Sequence, residues 1–320
     1  MSATNLQNFS GDVQIRGTTF IKANTNTNNV AIGTVSGETA QGVNTVAVGV
    51  GAGRTSQGTS AVAVGDNAGL TVQGNYTVAV GRVAGQTSQG TSAVAVGTAA
   101  GQTSQGARAT AVGYVSGYSE QGIHAIAVGT SSGMTSQGTY ATAMGYLAGQ
   151  TSQGTSSVAM GNQAGKLSQG AGATALGTIA GESNQGTYAT SVGYTAGNTG
   201  QGNYATAMGN AAGMSNQGAG GTAVGLSSGY NSQGTQAVAV GHAAGYALQG
   251  ASATAVGYLA GQTSQGANAT AVGYLAGNSE QAVNTVAVGL QAGQTLQGAY
   301  AIAVGYLAGQ TSQGANATAV

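Results

Sequence analysis

The sequence predicts an all-β protein, a parallel β-solenoid of eighteen 16-residue coils, and three observations carry that expectation. Glycine returns every sixteen residues without a slip, at Gly33, Gly49, Gly65 and onward to Gly305, and again from Gly37 to Gly309. The last four residues of each repeat alternate, as in Ala61-Val62-Ala63-Val64 and Thr77-Val78-Ala79-Val80, which is the period of a strand. The 320 residues contain no proline, so every strand N–H can donate to a neighbouring coil. A fixed short period with two short strands and two turns is what one coil of such a stack requires. Coils about 4.8 Å apart would make a rod roughly 85 Å long.

Residues 1–32 differ from the rest and read as an N-terminal cap or attachment segment, because terminal coils otherwise expose unpaired edges. They hold both phenylalanines, Phe9 and Phe20, and the charges Asp12, Arg16 and Lys22. Short strands are predicted at Asp12 to Ile15 and Thr18 to Lys22, followed by an Asn/Thr linker at Asn24 to Asn29. The repeats fill 33–320, and Gly33 is taken below as column 1. Columns 1 to 5 (Gly-x-x-Ala-Gly) and the glycine of column 10 are too short and too glycine-rich for helices and read as turns. Columns 1, 5 and 10 together hold 53 of the 60 glycines, with Ala282 the one replacement.

Columns 14 and 16 carry the bulk and are expected to face the coil interior. Columns 13 and 15 would then face out as a flat alanine stripe. That stripe, at Ala47, Ala63, Ala79, Ala95 and Ala111, would exceed the apolar patch of ordinary monomers and is expected to be buried between chains, most simply around a threefold axis. In the second strand, columns 7 and 9 should point in and the variable column 8 out. Column 9 is glutamine throughout, beginning with Gln41, Gln57, Gln73, Gln89 and Gln105. In-register amides can bond up and down a stack and so satisfy buried polar groups, which favours a structural ladder over a ligand-binding array.

Composition narrows the function classes. Only 4% of residues are charged and the net charge is zero, which argues against nucleic-acid binding. There is no cysteine for disulfides or thiolate metals. The first residues show neither the basic nor the apolar run of a secretory leader, and no apolar stretch is long enough for membrane insertion. His124 and His242 are far apart in sequence, and Glu38, Asp66, Glu120, Glu182 and Glu280 lie on distant coils. No catalytic residues, metal ligands or cofactor are therefore expected, and the chain reads as a non-enzyme.

The fourteen tyrosines sit beside turns. Tyr114, Tyr146, Tyr194, Tyr258, Tyr274 and Tyr306 occupy column 2, Tyr76, Tyr140, Tyr188, Tyr204 and Tyr300 column 12, and Tyr118, Tyr230 and Tyr246 column 6. The first two groups flank the alanine strand. They read either as the rims of a subunit interface, where aromatics are favoured, or as surface-contact residues for a sugar.

Asn29-Val30-Ala31-Ile32-Gly33 and Thr45-Val46-Ala47-Val48-Gly49 resemble the Ser-Val-Ala-Ile-Gly unit of YadA-like head repeats in trimeric adhesins. The resemblance implies a left-handed β-roll, a homotrimer and adhesion at a surface. The repeat here is two residues longer. The unit Gly-Tyr-Leu-Ala-Gly-Gln-Thr-Ser-Gln-Gly, with the lead-in from Phe9 to Thr18, is similar to repeats in fibre and spike proteins of phages and large DNA viruses. The expected function is a structural fibre or spike shaft on a virion or extracellular filament. Its partners would be copies of itself and a host-surface glycan or receptor. Two alternatives stand beside it, a glycan- or matrix-binding adhesin and an ice-binding solenoid, the latter opposed by a flat face expected to be Ala rather than Thr.

Overall fold

The computed structural model describes residues 28–320, together with the backbone of 13–15 and 18–24. Phe9, Asp12, Arg16 and residues 25–27 of the linker lie outside the described residues, as do the side chains of Phe20 and Lys22. The chain divides into two compact units, Met1–Leu147 and Ala148–Val320, and the same 16-residue coil builds each.

The first unit opens with β1 (Val13–Ile15) and β2 (Thr18–Asn24), paired antiparallel. Strand β2 also runs antiparallel to β3 (Asn29–Ile32), with Ile21 opposite Ile32 and Asn24 opposite Asn29. From β3 onward the pairing is parallel, Val30, Ala31 and Ile32 lying opposite Val46, Ala47 and Val48. The N-terminal hairpin thus occupies the edge that the first coil would otherwise leave open.

Within each unit every coil contributes one strand from columns 14 to 16, three residues long except for Thr318–Ala319 in the last, and, with one exception, another from columns 7 to 9. Val94, Ala95 and Val96 oppose Thr110, Ala111 and Val112, and Thr103 and Gln105 oppose Ser119 and Gln121. A residue therefore meets its counterpart sixteen positions on, as the period requires. Main-chain bonds between coils continue through the turns, for example Val94 N to Ala109 O at 2.9 Å, Gly97 N to Val80 O at 2.8 Å and Gly106 N to Gln121 O at 2.8 Å. Proline at such positions would delete a donor in an otherwise continuous ladder.

The inside and outside of the alanine strand are reversed from expectation. Ala47 is 1% exposed and Ala63, Ala79, Ala95 and Ala111 are fully buried within the single chain, as are the alanines of column 13 such as Ala61 and Ala93. The alanines of column 15 join those of column 4, including Ala52, Ala68, Ala84 and Ala100, in one interior cluster. Columns 14 and 16 face out, so Met160 is 36% exposed and Leu176 45%. No apolar side chain larger than alanine is buried among the described residues. The alanine stripe is accordingly not an interface between chains.

The physical reason is width. A Cβ built on Gly85 would lie 3.2 Å from the Ala79 Cβ and 2.8 Å from the Gln89 Oε1, so the interior is already filled by methyl groups and amides. Branched apolar side chains have no room there and turn outward, and the branched residues buried among those described are Thr45, Thr77 and Thr285 of column 13.

The second strand is bent rather than extended. Its central residue, column 8, has a left-handed backbone in nearly every coil, for example Ser56 at φ 53°, Glu120 at 54° and Leu248 at 55°. Val72 is the sole β-branched residue of that column and is not left-handed, and there the strand is reduced to single bridges from Gln73 to Gln57 and Gln89. Branching at Cβ makes the left-handed region costly. Val72→Ser should therefore restore the regular strand and raise local stability by about 1 kcal/mol, read as slower amide exchange at Gln73 and Gln89. Column 7 was expected inside but lies at the surface, with Thr103 exposed.

Stacking in register also explains the charges. Arg54 Nε meets Glu38 Oε2 at 2.7 Å and Lys166 Nζ meets Glu182 Oε1 at 3.6 Å, each pair one coil apart in column 6. Both are surface pairs of small worth, and their opposite signs avoid a repulsion that in-register stacking would otherwise impose.

Candidate functional site

Two regions carry recurrent side-chain chemistry, the internal glutamine column and the outward face of the alanine strand. The glutamines project from the bent strand across the coil interior. Gln57, Gln73, Gln89 and Gln105 are 1–2% exposed. Gln89 Nε2 donates to the Val78 carbonyl at 2.9 Å in the preceding coil and lies 3.3 Å from the Ala93 carbonyl of its own. Along the stack the amides also bond one another, Gln73 Nε2 to Gln89 Oε1 at 3.2 Å and Gln105 Nε2 to Gln121 Oε1 at 3.1 Å. A longer run joins Gln201 through Gln217, Gln233, Gln249, Gln265 and Gln281 to Gln297 at 3.0–3.1 Å. Every such bond points the same way, Nε2 toward the C-terminal neighbour.

Gln41 departs from the others. It is half-buried and its Nε2 bonds Gly53 O at 2.7 Å. The Oε1 atoms of Gln57, Gln73, Gln105 and Gln313 have no partner, and at these coils the amide chain breaks. The column is occupied with its own bonding and presents nothing to a ligand from outside, so its role is to tie the two strands of each coil together.

One side chain interrupts the pattern. Ser191 replaces the alanine of column 15, and its Oγ accepts from Gln185 Nε2 at 3.2 Å and donates to Gln201 Oε1 at 2.8 Å. The serine is inserted between two amides that elsewhere bond directly. Ser191→Ala should let Gln185 Nε2 reach Gln201 Oε1 as in other coils, so the expected stability change is within about 0.5 kcal/mol; a loss above roughly 2 kcal/mol in thermal or urea unfolding would show that the hydroxyl is indispensable. The exception in column 15 is visible in the sequence, but its partners are not.

Within each unit the outward face carries two columns. Column 14 is Val, Ile or Thr and column 16 is Val, Met or Leu. Most of these are half-exposed, and Ile126, Met144 and Met208 reach 39%, 38% and 44%. These residues, from Val46 and Val48 onward, were assigned to the interior by their bulk. Their variability was the overlooked signal, since five kinds of branched or long side chain, Val, Ile, Thr, Met and Leu, share columns whose inward neighbours are almost all alanine.

The column-2 tyrosines Tyr114, Tyr146, Tyr194, Tyr258, Tyr274 and Tyr306 are all exposed, as are Tyr76, Tyr140, Tyr188, Tyr204 and Tyr300 of column 12. Some stack on the next coil. Tyr258 lies between His242 and Tyr274, with ring centroids 5.1 and 5.2 Å apart and planes within 12°. His124 stacks on Tyr140 at 5.1 Å, and Arg108 Nη1 lies 3.5 Å from its Nε2. Both histidines are thus held by aromatic stacking on distant coils. Among the described residues no three His, Asp or Glu side chains converge as a metal site would need, and no helix is long and apolar enough to cross a membrane. The chain matches no protein-family model and no curated protein sequence.

Proposed function

We propose that the chain is the shaft of a structural fibre or spike, carried on a virion or surface filament, and that it associates with copies of itself through the outward face of columns 14 and 16. The reading includes left-handed coils and three chains around an axis, as the resemblance to adhesin heads and viral fibres implies. One observation carries it. The side chains that a globular core would bury stand outward, Val, Met or Leu at every coil of column 16 beside Val, Ile or Thr of column 14, while the buried apolar residues among those described are all alanine. A contiguous apolar surface of this kind on a soluble chain marks an interaction site. Because the coils repeat, a second copy meets the same pattern at every step and the contact gains area with length. Sedimentation tests the reading. The native chain should run as a trimer at micromolar concentration, and Val224→Lys with Val240→Lys and Val256→Lys should give a folded monomer; a native monomer would overturn it.

A second reading has a specific observation in its favour. With the alanines inside, the flat outward face carries Thr at Thr174, Thr190, Thr206, Thr222, Thr254 and Thr270 beside the apolar column, a regular array of methyls and hydroxyls suited to ordered water. Thermal hysteresis in the native chain would support this ice-binding role; its absence would remove it. A sugar platform is less well served, since the Tyr258 ring is covered on both faces by His242 and Tyr274.

A further inference from the structure

We infer that three pairs of stacked tyrosines are sites of oxidative cross-linking between successive coils. The pairs are Tyr188 with Tyr204, Tyr230 with Tyr246, and Tyr258 with Tyr274, and they are the only tyrosines in the sequence that stand sixteen residues apart. Their ring centroids lie 5.5, 4.8 and 5.2 Å apart and their planes within 20°, 8° and 7°. Two pairs are exposed, Tyr188 and Tyr204 at 59% and 67% and Tyr258 and Tyr274 at 46% and 50%, and Tyr230 and Tyr246 are half-exposed. Tyr230 and Tyr246 lie in column 6, apart from the outward face of the alanine strand, so their access does not depend on whether chains associate there.

In-register stacking supplies what this chemistry needs. A tyrosyl radical couples through the ring carbon ortho to its oxygen, and a coil-to-coil stack holds two such carbons near each other without any motion of the backbone. The step requires a one-electron oxidant, here a peroxidase-class enzyme with hydrogen peroxide. Each phenol loses one electron and one proton, and the two radicals form a Cε–Cε bond. The coupled rings regain aromaticity by moving their two ortho protons onto the oxygens. Overall two tyrosines and one peroxide yield one dityrosine and two waters. The product ties residue i to residue i+16 and closes a loop of one coil, so it would act as a covalent staple against coil separation.

The other eight tyrosines provide the contrast within the same chain. Tyr114, for example, stands between Thr98 and Thr130 in its column and has no tyrosine sixteen residues to either side.

The test uses the full chain at high dilution with horseradish-type peroxidase and hydrogen peroxide, read by dityrosine fluorescence and by mass mapping of cross-linked peptides. The expected result is a set of intrachain links joining 188 to 204, 230 to 246 and 258 to 274, with a raised unfolding midpoint. The variant Tyr204→Phe, Tyr246→Phe, Tyr274→Phe keeps the stacked rings but removes one phenol of each pair. It should retain the native circular dichroism and lose nearly all intrachain dityrosine. Undiminished intrachain dityrosine in that variant, or none in the native chain while free tyrosine is oxidised alongside, would overturn the inference.

Discussion

Gly225→Ala is expected to open the solenoid locally, at a cost of at least about 3 kcal/mol. Two independent effects add at this position. Gly225 has φ +125°, a region that side-chain-bearing residues rarely enter. A Cβ built there would also lie 2.6 Å from the Gly241 carbonyl oxygen of the next coil, and that atom belongs to backbone which cannot move without disturbing its own ladder. Gly225→Pro adds a third loss, the bond from Gly225 N to Met208 O at 2.8 Å. The neighbouring Leu226→Ala, at a side chain 47% exposed, is the control and should change little. Because repeat stability is a sum of nearest-neighbour terms, the loss should appear as fast amide exchange in the coils around 209–256 while distant coils stay protected. Native exchange rates in Gly225→Ala would contradict the stacking described here.

The second large effect is expected at the glutamine column. Gln233 Nε2 donates to Thr222 O at 2.8 Å, and lies 3.2 Å from Ala237 O and 3.1 Å from Gln249 Oε1. Its own Oε1 accepts from Gln217 Nε2 at 3.0 Å. Gln233→Leu has similar bulk but removes the donor, leaving Gln249 Oε1 buried without a partner, and should cost roughly 3 kcal/mol. Gln233→Glu separates packing from polarity. The new carboxyl is buried with no cation beside it, so its folded-state pKa lies above the ordinary glutamate value of about 4.3. A raised pKa means the protonated form is the one the fold favours, so stability is best below that ordinary value and falls as pH rises through the raised one. The measurement is urea unfolding at acidic and neutral pH. Equal stability of Gln233→Glu at both would show that the column is solvated.

Much of this architecture was legible in the residues. The 16-residue period fixed which residues stack, and the pairing of Ala95 with Ala111 and Gln105 with Gln121 follows it without a shift. The N-terminal strands expected at Asp12 to Ile15 and Thr18 to Lys22 lie within two residues of the observed Val13–Ile15 and Thr18–Asn24. The buried amide column is legible because glutamine stands at column 9 of every coil, where in-register amides can satisfy one another. The facing of the alanine strand was misjudged for an identifiable reason. Period two says that neighbours face opposite ways but not which way, and the usual tie-breaker sends the larger apolar residue inward. That rule assumes a core wide enough for valine. Here Gly85, Ala79 and Gln89 already fill the space, so size, not hydrophobicity, decides.

The left-handed residues were the least legible. Columns 3, 8 and 12 take positive φ with Leu, Ser, Tyr and even Val, as at Leu259, Ser264, Tyr188 and Val83. Such side chains give no local warning. The constraint comes from the coil, which must turn within sixteen residues and imposes the same dihedrals on nearly every residue of these columns, Val72 of column 8 excepted. Ala282 shows the tolerance of a neighbouring constraint. It stands where other coils have glycine, and the adjacent bond from Tyr300 N to Val283 O lengthens to 3.2 Å, against 2.9 Å from Asn268 N to Ala251 O.

The central claim is that the coil keeps its alanines and glutamines inside and its branched side chains out. The chain has no native cysteine, so single cysteines report on facing directly. Ala239 is fully buried and Val240 is half-exposed on the same strand. Thiol labelling of Ala239→Cys and Val240→Cys, below the concentration at which chains associate, is the most direct measurement. Rapid reaction at 240 with protection at 239 until denaturant is added is the expected result, and rapid reaction at 239 with protection at 240 would contradict it.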